Sequence, residues 1–211
     1  MELQLGIIGY GVHGRHLAAL AADCYPEATV TAFDDLAVQQ AIPYAVPFAQ
    51  WRDSRFAGHR FVVALGYHHP QLRVEIVRSL KAAGRDIRPL LHPSAQVSRR
   101  ARVGTGVVIA MGVTVSPHVV LEDGVYLSAG TVVSHDVQVG AGCYVGPGVV
   151  LCGGSQIGPY TFLGANTTVA DGRRVGSECR IGLATAVSRD VPDGVSVIGS
   201  PMRILNKPLA L

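Results

Sequence analysis

The sequence is poor in the residues that mark several common classes of protein. Aromatic side chains make up 6% of its 211 residues and charged side chains 16%, with a single tryptophan. The net charge is only +3, and the basic pairs Arg99-Arg100 and Arg173-Arg174 have no interleaved aromatic residues on which bases could stack. We therefore expect no nucleic-acid partner.

Long apolar runs are also missing. No apolar stretch approaches the roughly eighteen residues of a membrane span, and the N-terminus lacks a basic segment followed by an apolar one. This pattern predicts a cytoplasmic protein without membrane contact.

A strict repeat is what the sequence does contain. From Val97 to Val187 every sixth residue is Val, Ile or Leu, and the next residue is small at every step except Glu122. The aliphatic positions are Val97, Val103, Ile109, Val115, Leu121, Leu127, Val133, Val139, Val145, Leu151, Ile157, Leu163, Val169, Val175, Ile181 and Val187. A period of six is typical of a parallel β-helix, in which each hexad forms one short strand and its corner. Because three hexads close a coil, these sixteen predict about five coils.

The four cysteines show no metal-ligand spacing. Cys143 and Cys179 share a hexad position but are two coils apart, about 10 Å at the usual strand spacing, which is too far for a disulfide. We expect reduced cysteines in the core.

The first part of the chain predicts an α/β fold, so we divide the chain into domains 1–90 and 91–211. Strands are expected over 3–8, 29–33, 60–65 and 87–90, with helices over 16–22 and 71–83. This pattern indicates a small, Rossmann-like parallel sheet. Ligands bind such sheets at the carboxyl ends of the strands, and these ends carry Gly9, Gly11, Gly14, Asp34, Asp35 and Gly66.

The glycines fit the pattern G-x-G-x-x-G between a strand and a helix, where backbone can approach a phosphate. About ninety residues supply barely one of the two halves of a dinucleotide fold, which favours a single nucleoside diphosphate over NAD. The alternative is a tight turn with no ligand, in which Asp34 only caps a helix. His68 and His69 could be ligands or plain loop residues.

Residues eighteen apart should stack on neighbouring coils, which predicts an aromatic ladder of Tyr126, Tyr144 and Phe162. By the same count Gly153 lies over His135, and Asp136 lies over His118 and pairs with it. The imidazole of His135 suits proton transfer near neutral pH, and the carboxylate of Asp136 could hold its tautomer.

A bare glycine at 153 leaves a backbone N–H that could stabilise an oxyanion. The alternative for His135 is an ordinary solvated histidine. A zinc site of His92, His118 and His135 and a cysteine nucleophile are both disfavoured, so no metal is expected.

These residues together resemble a known family. The hexads, Ser134-His135-Asp136, the break at 189–194 and the ending Gly199-Ser200-Pro201-Met202-Arg203 resemble hexapeptide-repeat acyltransferases, whose fold is a left-handed parallel β-helix. The glycine turn, Asp34-Asp35 and His92-Pro93-Ser94-Ala95 narrow the resemblance to bacterial nucleotide-amino-sugar N-acetyltransferases and sialic-acid O-acetyltransferase-like proteins.

The resemblance implies a homotrimer with an active site in each cleft between neighbouring prisms. It implies His135 as general base, Asp136 beside it, and Gly153 as donor to the thioester carbonyl in a direct attack. Acetyl-CoA would lie along the cleft, against Gly153, Gly164, Ala165, Gly182 and Arg203. The nucleotide of the sugar substrate would occupy the N-terminal domain.

The chain departs from the family at several positions. A histidine common nine residues after the base is Tyr144, an asparagine common seven residues before it is Ser128, and Val12-His13 replaces a more usual Gly-His. In relatives the asparagine lies near the sugar amine, so Ser128 leaves the identity of the sugar open. The histidine lies near the acetyl carbonyl, where the phenol of Tyr144 could still donate a hydrogen bond.

The favoured function is therefore acetyl transfer from acetyl-CoA to the amine of a nucleotide-linked sugar, such as a UDP-, GDP- or dTDP-linked 4-amino-dideoxy sugar. Two alternatives stay open: O-acetylation of a sugar or sialic acid, and a catalytically idle trimeric scaffold that binds a nucleotide.

Overall fold

A computed structural model describes residues 3–205, which form an α/β domain followed by a parallel β-helix. The N-terminal sheet has four parallel strands in the order β3-β2-β1-β4. Its strands are β1 (Gln4–Ile8), β2 (Thr29–Phe33), β3 (Ala45–Val46) and β4 (Arg60–Val63). The helices are α1 (Val12–Cys24), α2 (Asp35–Gln39) and α3 (Pro70–Ala82), with short 3-10 segments at Phe48–Arg52 and Ser54–Phe56.

Strand β1 is apolar on both faces because a helix covers each of them. Leu5 and Ile7 pack with α1, whereas Ile8 packs with α3. Position 6 requires glycine, because a Cβ there would lie 2.7 Å from the ring of Phe61. The close stacking of the sheet with its aromatic neighbours therefore depends on a glycine here.

Two predicted elements differ from the structure. Helix α1 begins at Val12 rather than at residue 16, so the glycine turn runs directly into the helix and Gly14 lies inside it. The prediction of a last N-terminal strand over 87–90 was wrong. Asp86 alone bridges to Arg60, and Leu90–Leu91 pairs with Val108–Ile109 of the β-helix, because Leu91 lies six residues before Val97 and continues the hexad.

The β-helix has three parallel sheets, which we call the domain-facing sheet, the small-residue sheet and the polar sheet. The domain-facing sheet contains Leu90–Leu91, Val108–Ile109, Tyr126–Leu127, Tyr144–Val145, Phe162–Leu163, Arg180–Ile181 and Ser196–Ile198, with Arg203–Leu205 antiparallel at its end. The small-residue sheet contains Gln96–Val97, Thr114–Val115, Val132–Val133, Val150–Leu151, Thr168–Val169 and Ala186–Val187. The polar sheet contains Arg102–Val103, Val120–Leu121, Gln138–Val139, Gln156–Ile157 and Arg174–Val175.

The stacking follows the predicted period of eighteen. Tyr126 lies opposite Tyr144, and Tyr144 lies opposite Phe162. The hexad aliphatics form one continuous core along the prism. The β-helix has about six coils, close to the predicted five, because the domain-facing sheet adds Leu90–Leu91 before the uninterrupted hexads and Ser196–Ile198 after them.

The cysteines are free thiols, as predicted. Cys143 is buried and donates to the carbonyl oxygen of Gly158 at 3.0 Å. Its pKa is raised to about 12 by burial, so this thiol is not a nucleophile near neutral pH.

Candidate active site

His135 lies on the turn that joins the small-residue sheet to the polar sheet. Its Nδ1 and Oδ2 of Asp136 are 2.9 Å apart. Both side chains are largely in solvent, at 68% and 59% of their full exposure. With the Nδ1 proton directed to the carboxylate, Nε2 is the ring nitrogen left to accept a proton.

Gly153 lies over the ring of His135, as the count of eighteen predicts. A Cβ built on Gly153 would be 2.7 Å from Cε1 and 2.8 Å from Nε2 of His135. Glycine at 153 is therefore what allows the imidazole to occupy this place. The Gly153 N–H has no protein acceptor among residues 3–205, so it remains a candidate donor to a substrate oxygen.

The predicted pairing of Asp136 with His118 was wrong. The carboxylate of Asp136 turns to His135, and no ion pair joins it to His118 in the described chain. The two coils are linked there by Asp136 N–H donating to Pro117 O at 3.2 Å instead. The short side chain of Asp136 reaches the neighbouring ring of His135 more easily than that of His118 on the coil below.

A cavity of 760 Å³ lies between the glycine turn, the end of β4 and the domain-facing sheet. It collects most of the predicted substrate residues: Gly9, Gly11, Gly14, Asp34, Gly66 and Tyr144 all line it. Within the turn, a Cβ on Gly14 would lie 2.2 Å from the carbonyl oxygen of Gly9, so only glycine lets α1 start this close to β1.

Asp34 organises this turn. Its Oδ2 accepts from Tyr10 N–H at 2.6 Å, and its Oδ1 accepts from Ala37 N–H at 2.9 Å, which caps α2. Asp34 thus has the capping role of the alternative interpretation, and it also lines the cavity. Asp35 lies in an adjoining cavity of 310 Å³, and its Oδ1 accepts from Phe48 N–H at 3.0 Å.

An aromatic wall of Tyr126, Tyr144, Phe162 and Tyr67 lies beside the cavity, and its members Tyr144 and Tyr67 line it. Tyr126 stacks on Tyr144 with ring centres 4.8 Å apart, and Tyr144 stacks on Phe162 at 5.8 Å. Tyr67 packs against both Tyr144 and Phe162. The predicted ladder is therefore confirmed, and a residue from the α/β domain joins it.

Ser128 is buried and belongs to the same group. Burial raises the pKa of both Tyr126 and Tyr144, and the nearby hydroxyl of Ser128 acts on both in the lowering direction. Ser128 and Tyr144, two of the positions that depart from the pattern of the family that the chain resembles, thus lie close to each other and to Tyr126.

His13 and Arg73 were not predicted as site residues. His13 lines the cavity and packs edge-on against Tyr126 at 5.1 Å. Burial, with Arg73 and His16 nearby, lowers the pKa of His13 to about 4, so the ring is neutral at physiological pH. The place of His13 between two of the glycines was the signal that could have identified it.

Arg73 joins the two domains from α3. It is 3% exposed and donates to five carbonyl oxygens: Leu65 at 2.8 Å, Gly66 at 3.1 Å, Gly124 at 3.0 Å, Gly142 at 2.6 Å and Cys143 at 3.3 Å. Burial lowers the pKa of Arg73 to about 10, which leaves the guanidinium charged. A single arginine in an amphipathic helix gave no sequence signal for this role.

The chain does not bring its two groups of site residues together. The 760 Å³ cavity lies against the domain-facing sheet, whereas His135, Asp136 and Gly153 lie on the corner between the other two sheets. In a triangular prism that corner is opposite the domain-facing sheet.

Three predicted acetyl-CoA residues, Gly164, Ala165 and Gly182, share the corner between the domain-facing and small-residue sheets. Their glycines also have a packing role, because a Cβ on Gly164 would lie 2.6 Å from Leu183 N. Arg203 lies in the final antiparallel strand, with an exposed side chain.

Within residues 3–205 no group of three His, Cys, Asp or Glu side chains could hold a metal ion. In that same part of the chain, no helix has the length and apolar character needed to cross a bilayer.

Comparison with known proteins identifies this arrangement. Residues 118–153 match the family model described as bacterial transferase hexapeptide (six repeats). PerB from Caulobacter crescentus, solved with CoA and GDP-perosamine, is 32% identical over 96% of this chain and 97% of its own, with a TM-score of 0.86. The chain belongs to the hexapeptide-repeat acyltransferases.

Other solved structures agree. The acetyltransferase domain of PglB from Neisseria gonorrhoeae, in complex with acetyl coenzyme A, is 28% identical over 97% of this chain and 100% of its own, with a TM-score of 0.89. WeeI from Acinetobacter baumannii shares the fold at 16% identity and a TM-score of 0.66. A search of curated protein sequences gives no match. The prediction that the chain is an acyltransferase is therefore confirmed.

Proposed function

We propose that this acyltransferase moves an acetyl group from acetyl-CoA to the amine of a nucleotide-linked sugar, with His135 as general base. The observation that carries the proposal is the His135–Asp136 pair lying beneath the bare backbone of Gly153. The full-length similarity to PerB, which was solved with CoA and GDP-perosamine, supports this substrate class.

The mechanism follows from the orientation of the His135 ring, whose Nδ1 faces Asp136 while Nε2 is left to accept a proton. The sugar amine attacks the thioester carbonyl carbon, and Nε2 of His135 takes the proton that the amine loses. Asp136, at Nδ1, stabilises the imidazolium. The N–H of Gly153 supports the negative charge on the carbonyl oxygen, and collapse of the tetrahedral intermediate expels the CoA sulfur, which receives the proton.

A homotrimer would bring the cavity and the base together. The outward residues of the small-residue sheet include Thr114, Val132, Val150 and Ala186, whereas those of the polar sheet include Arg102, Gln138, Gln156 and Arg174. Val132 is apolar and 38% exposed in the single chain. Packing through the small-residue sheet sets the His135 corner of one subunit next to the Gly164 corner and cavity of its neighbour.

The acetyl-CoA site then lies in the cleft between those two corners. The Gly153 backbone is on one wall, and Gly164, Ala165 and Gly182 are on the other. The nucleotide sugar enters from the 760 Å³ cavity, so that its amine reaches His135 of the adjacent subunit.

The test is CoA release from acetyl-CoA with UDP-, GDP- and dTDP-linked 4-amino sugars and with hydroxyl sugars as acceptors. We expect turnover on an amino sugar and a loss of about 10²-fold to 10⁴-fold in His135→Ala. His118→Ala, an exposed histidine on the same corner of the prism, is the matched control. Turnover on hydroxyl acceptors alone would overturn the amine assignment, and full activity in His135→Ala would overturn the base.

A further inference from the structure

The proposed substrate brings a diphosphate into a cavity that has few side-chain cations. Among the described residues, no lysine and no arginine lines the 760 Å³ cavity. Its one acidic lining residue, Asp34, already accepts from two backbone N–H groups. The basic side chains of the lining are four of the eight histidines of the chain: His13, His16, His68 and His69.

These histidines come from two elements. His13 and His16 are on α1, with ring centres 6.2 Å apart, and His13 is held neutral by burial. His68 and His69 are exposed and lie on the short loop between β4 and α3. Tyr67 fixes that loop by packing against Tyr144 and Phe162, and the centre of the His68 ring lies 4.2 Å from that of Tyr67.

Arg73 lies directly beneath this loop. Its Nη1 donates to the carbonyl oxygens of Leu65 and Gly66, both of which line the cavity. All its hydrogen-bond partners are neutral carbonyls, and no carboxylate in residues 3–205 lies within ion-pair distance of it. A buried charge without a counter-charge is costly, so an anion bound above the loop would offset it.

The opposite wall offers backbone donors. Helix α1 begins at Val12, within the cavity lining, and the N–H groups of a first helical turn have no partners within the helix. The helix dipole adds positive potential at the same end. The cavity thus has hydrogen-bond donors on two sides, the start of α1 and the histidine loop, and the buried cation Arg73 lies behind that loop.

We propose that the diphosphate of the nucleotide sugar is held between the start of α1 and the side chains of His68 and His69, with Arg73 as a buried positioning residue beneath the Gly66 loop. This inference rests on the proposed function. It assigns the anion to imidazole and backbone donors instead of the lysine or arginine usual at phosphate sites. Of the two interpretations that the sequence left open for His68 and His69, ligands or plain loop residues, this inference selects ligands.

The experiment measures the affinity of the full-length protein for GDP, UDP and dTDP by calorimetry, and for the matching nucleosides by displacement. The variants are His68→Gln, His69→Gln and their double, with His118→Gln as the matched exposed control. We expect the Kd of the preferred diphosphate to rise about tenfold for each histidine removed, because hydrogen bonds to charged groups are of that strength. The Kd of its nucleoside should stay within about twofold, since it lacks the phosphates.

Steady-state kinetics give an independent readout. The KM for the nucleotide sugar should rise in the double variant while kcat stays near wild type, because binding at the diphosphate is equal in the ground and transition states. Arg73→Lys, which retains the charge, should keep the preference for diphosphate over nucleoside better than Arg73→Met. If either Arg73 variant fails to fold, the histidine variants still decide the matter.

Equal loss of affinity for nucleoside and diphosphate would overturn the inference, because the histidines would then contact the base or ribose. Unchanged affinity for both would overturn it as well, while leaving the proposed function standing. If the wild-type protein binds neither nucleotides nor nucleosides, the proposed function fails, and the inference falls with it.

Discussion

Replacing Gly153 by alanine tests whether the place of the His135 ring matters for catalysis. The new Cβ would lie 2.7 Å from Cε1, and ordinary contact begins near 3.4 Å, so the ring must move by at least 3.4 − 2.7 = 0.7 Å. The ring is 68% exposed and can swing into solvent. That movement would break its 2.9 Å contact with Asp136.

The expected consequences for rate and stability differ. A displacement of about 1 Å from productive geometry costs about 10²-fold in rate, and loss of a general base costs about 10²-fold to 10⁴-fold. We therefore expect kcat to fall about 10²-fold in Gly153→Ala. The free energy of unfolding should change by less than about 1 kcal/mol, because the clash is relieved at the surface.

The assay is CoA release at saturating substrates, with urea unfolding measured on the same preparations. Gly58→Ala is the matched control, since a Cβ there meets nothing within 4 Å. His135→Ala sets the lowest rate expected. A Gly153→Ala enzyme with wild-type kcat would refute the reasoning, and so would one whose loss of rate matches a loss of folding.

Three further predictions follow. Val132→Arg on the small-residue sheet should shift sedimentation from trimer to monomer and abolish turnover, whereas Gln138→Arg on the polar sheet should change neither. Arg73→Met should lower the free energy of unfolding by about 3–5 kcal/mol in urea, since it leaves five buried carbonyls without their donor. The pKa of His13 is lowered from 6.5 to about 4, so the stability it contributes is present above pH 6.5 and lost as the pH falls toward 4. His13→Gln should remove about 2 kcal/mol of that acid sensitivity, after allowance for partial exposure, as measured by unfolding at pH 7 and pH 4.5.

The β-helix was predictable because its repeat turns sequence number directly into position. A period of six fixes which residues point inward, and three such periods fix the vertical neighbours. Gly153 over His135 and the ladder through Tyr144 followed from counting alone. Counting gave five coils instead of about six, because the strands Leu90–Leu91 and Ser196–Ile198 lie outside the uninterrupted hexads. Only their pairing with neighbouring strands in the structure identifies them as part of the β-helix.

The site was harder to predict wherever it depends on contacts between the two domains. Arg73 is an ordinary helical residue in sequence, and only the docking of α3 on the β-helix brings it to the carbonyls of Gly124 and Gly142. The direction of a side chain also could not be predicted by counting residues. Asp136 lies one coil above His118, yet its carboxylate turns to the adjacent residue.

The placement of the cavity and His135 on opposite sides of one prism has a genetic consequence. In the proposed trimer each subunit contributes its cavity to one reaction centre and its base to another. A subunit with a defective base therefore still presents acceptor sugar to a healthy neighbour. Two alleles that are each inactive alone, one altered at His135 and one in the cavity, should complement each other when co-expressed. Random assembly in equal amounts would restore about a quarter of the reaction centres.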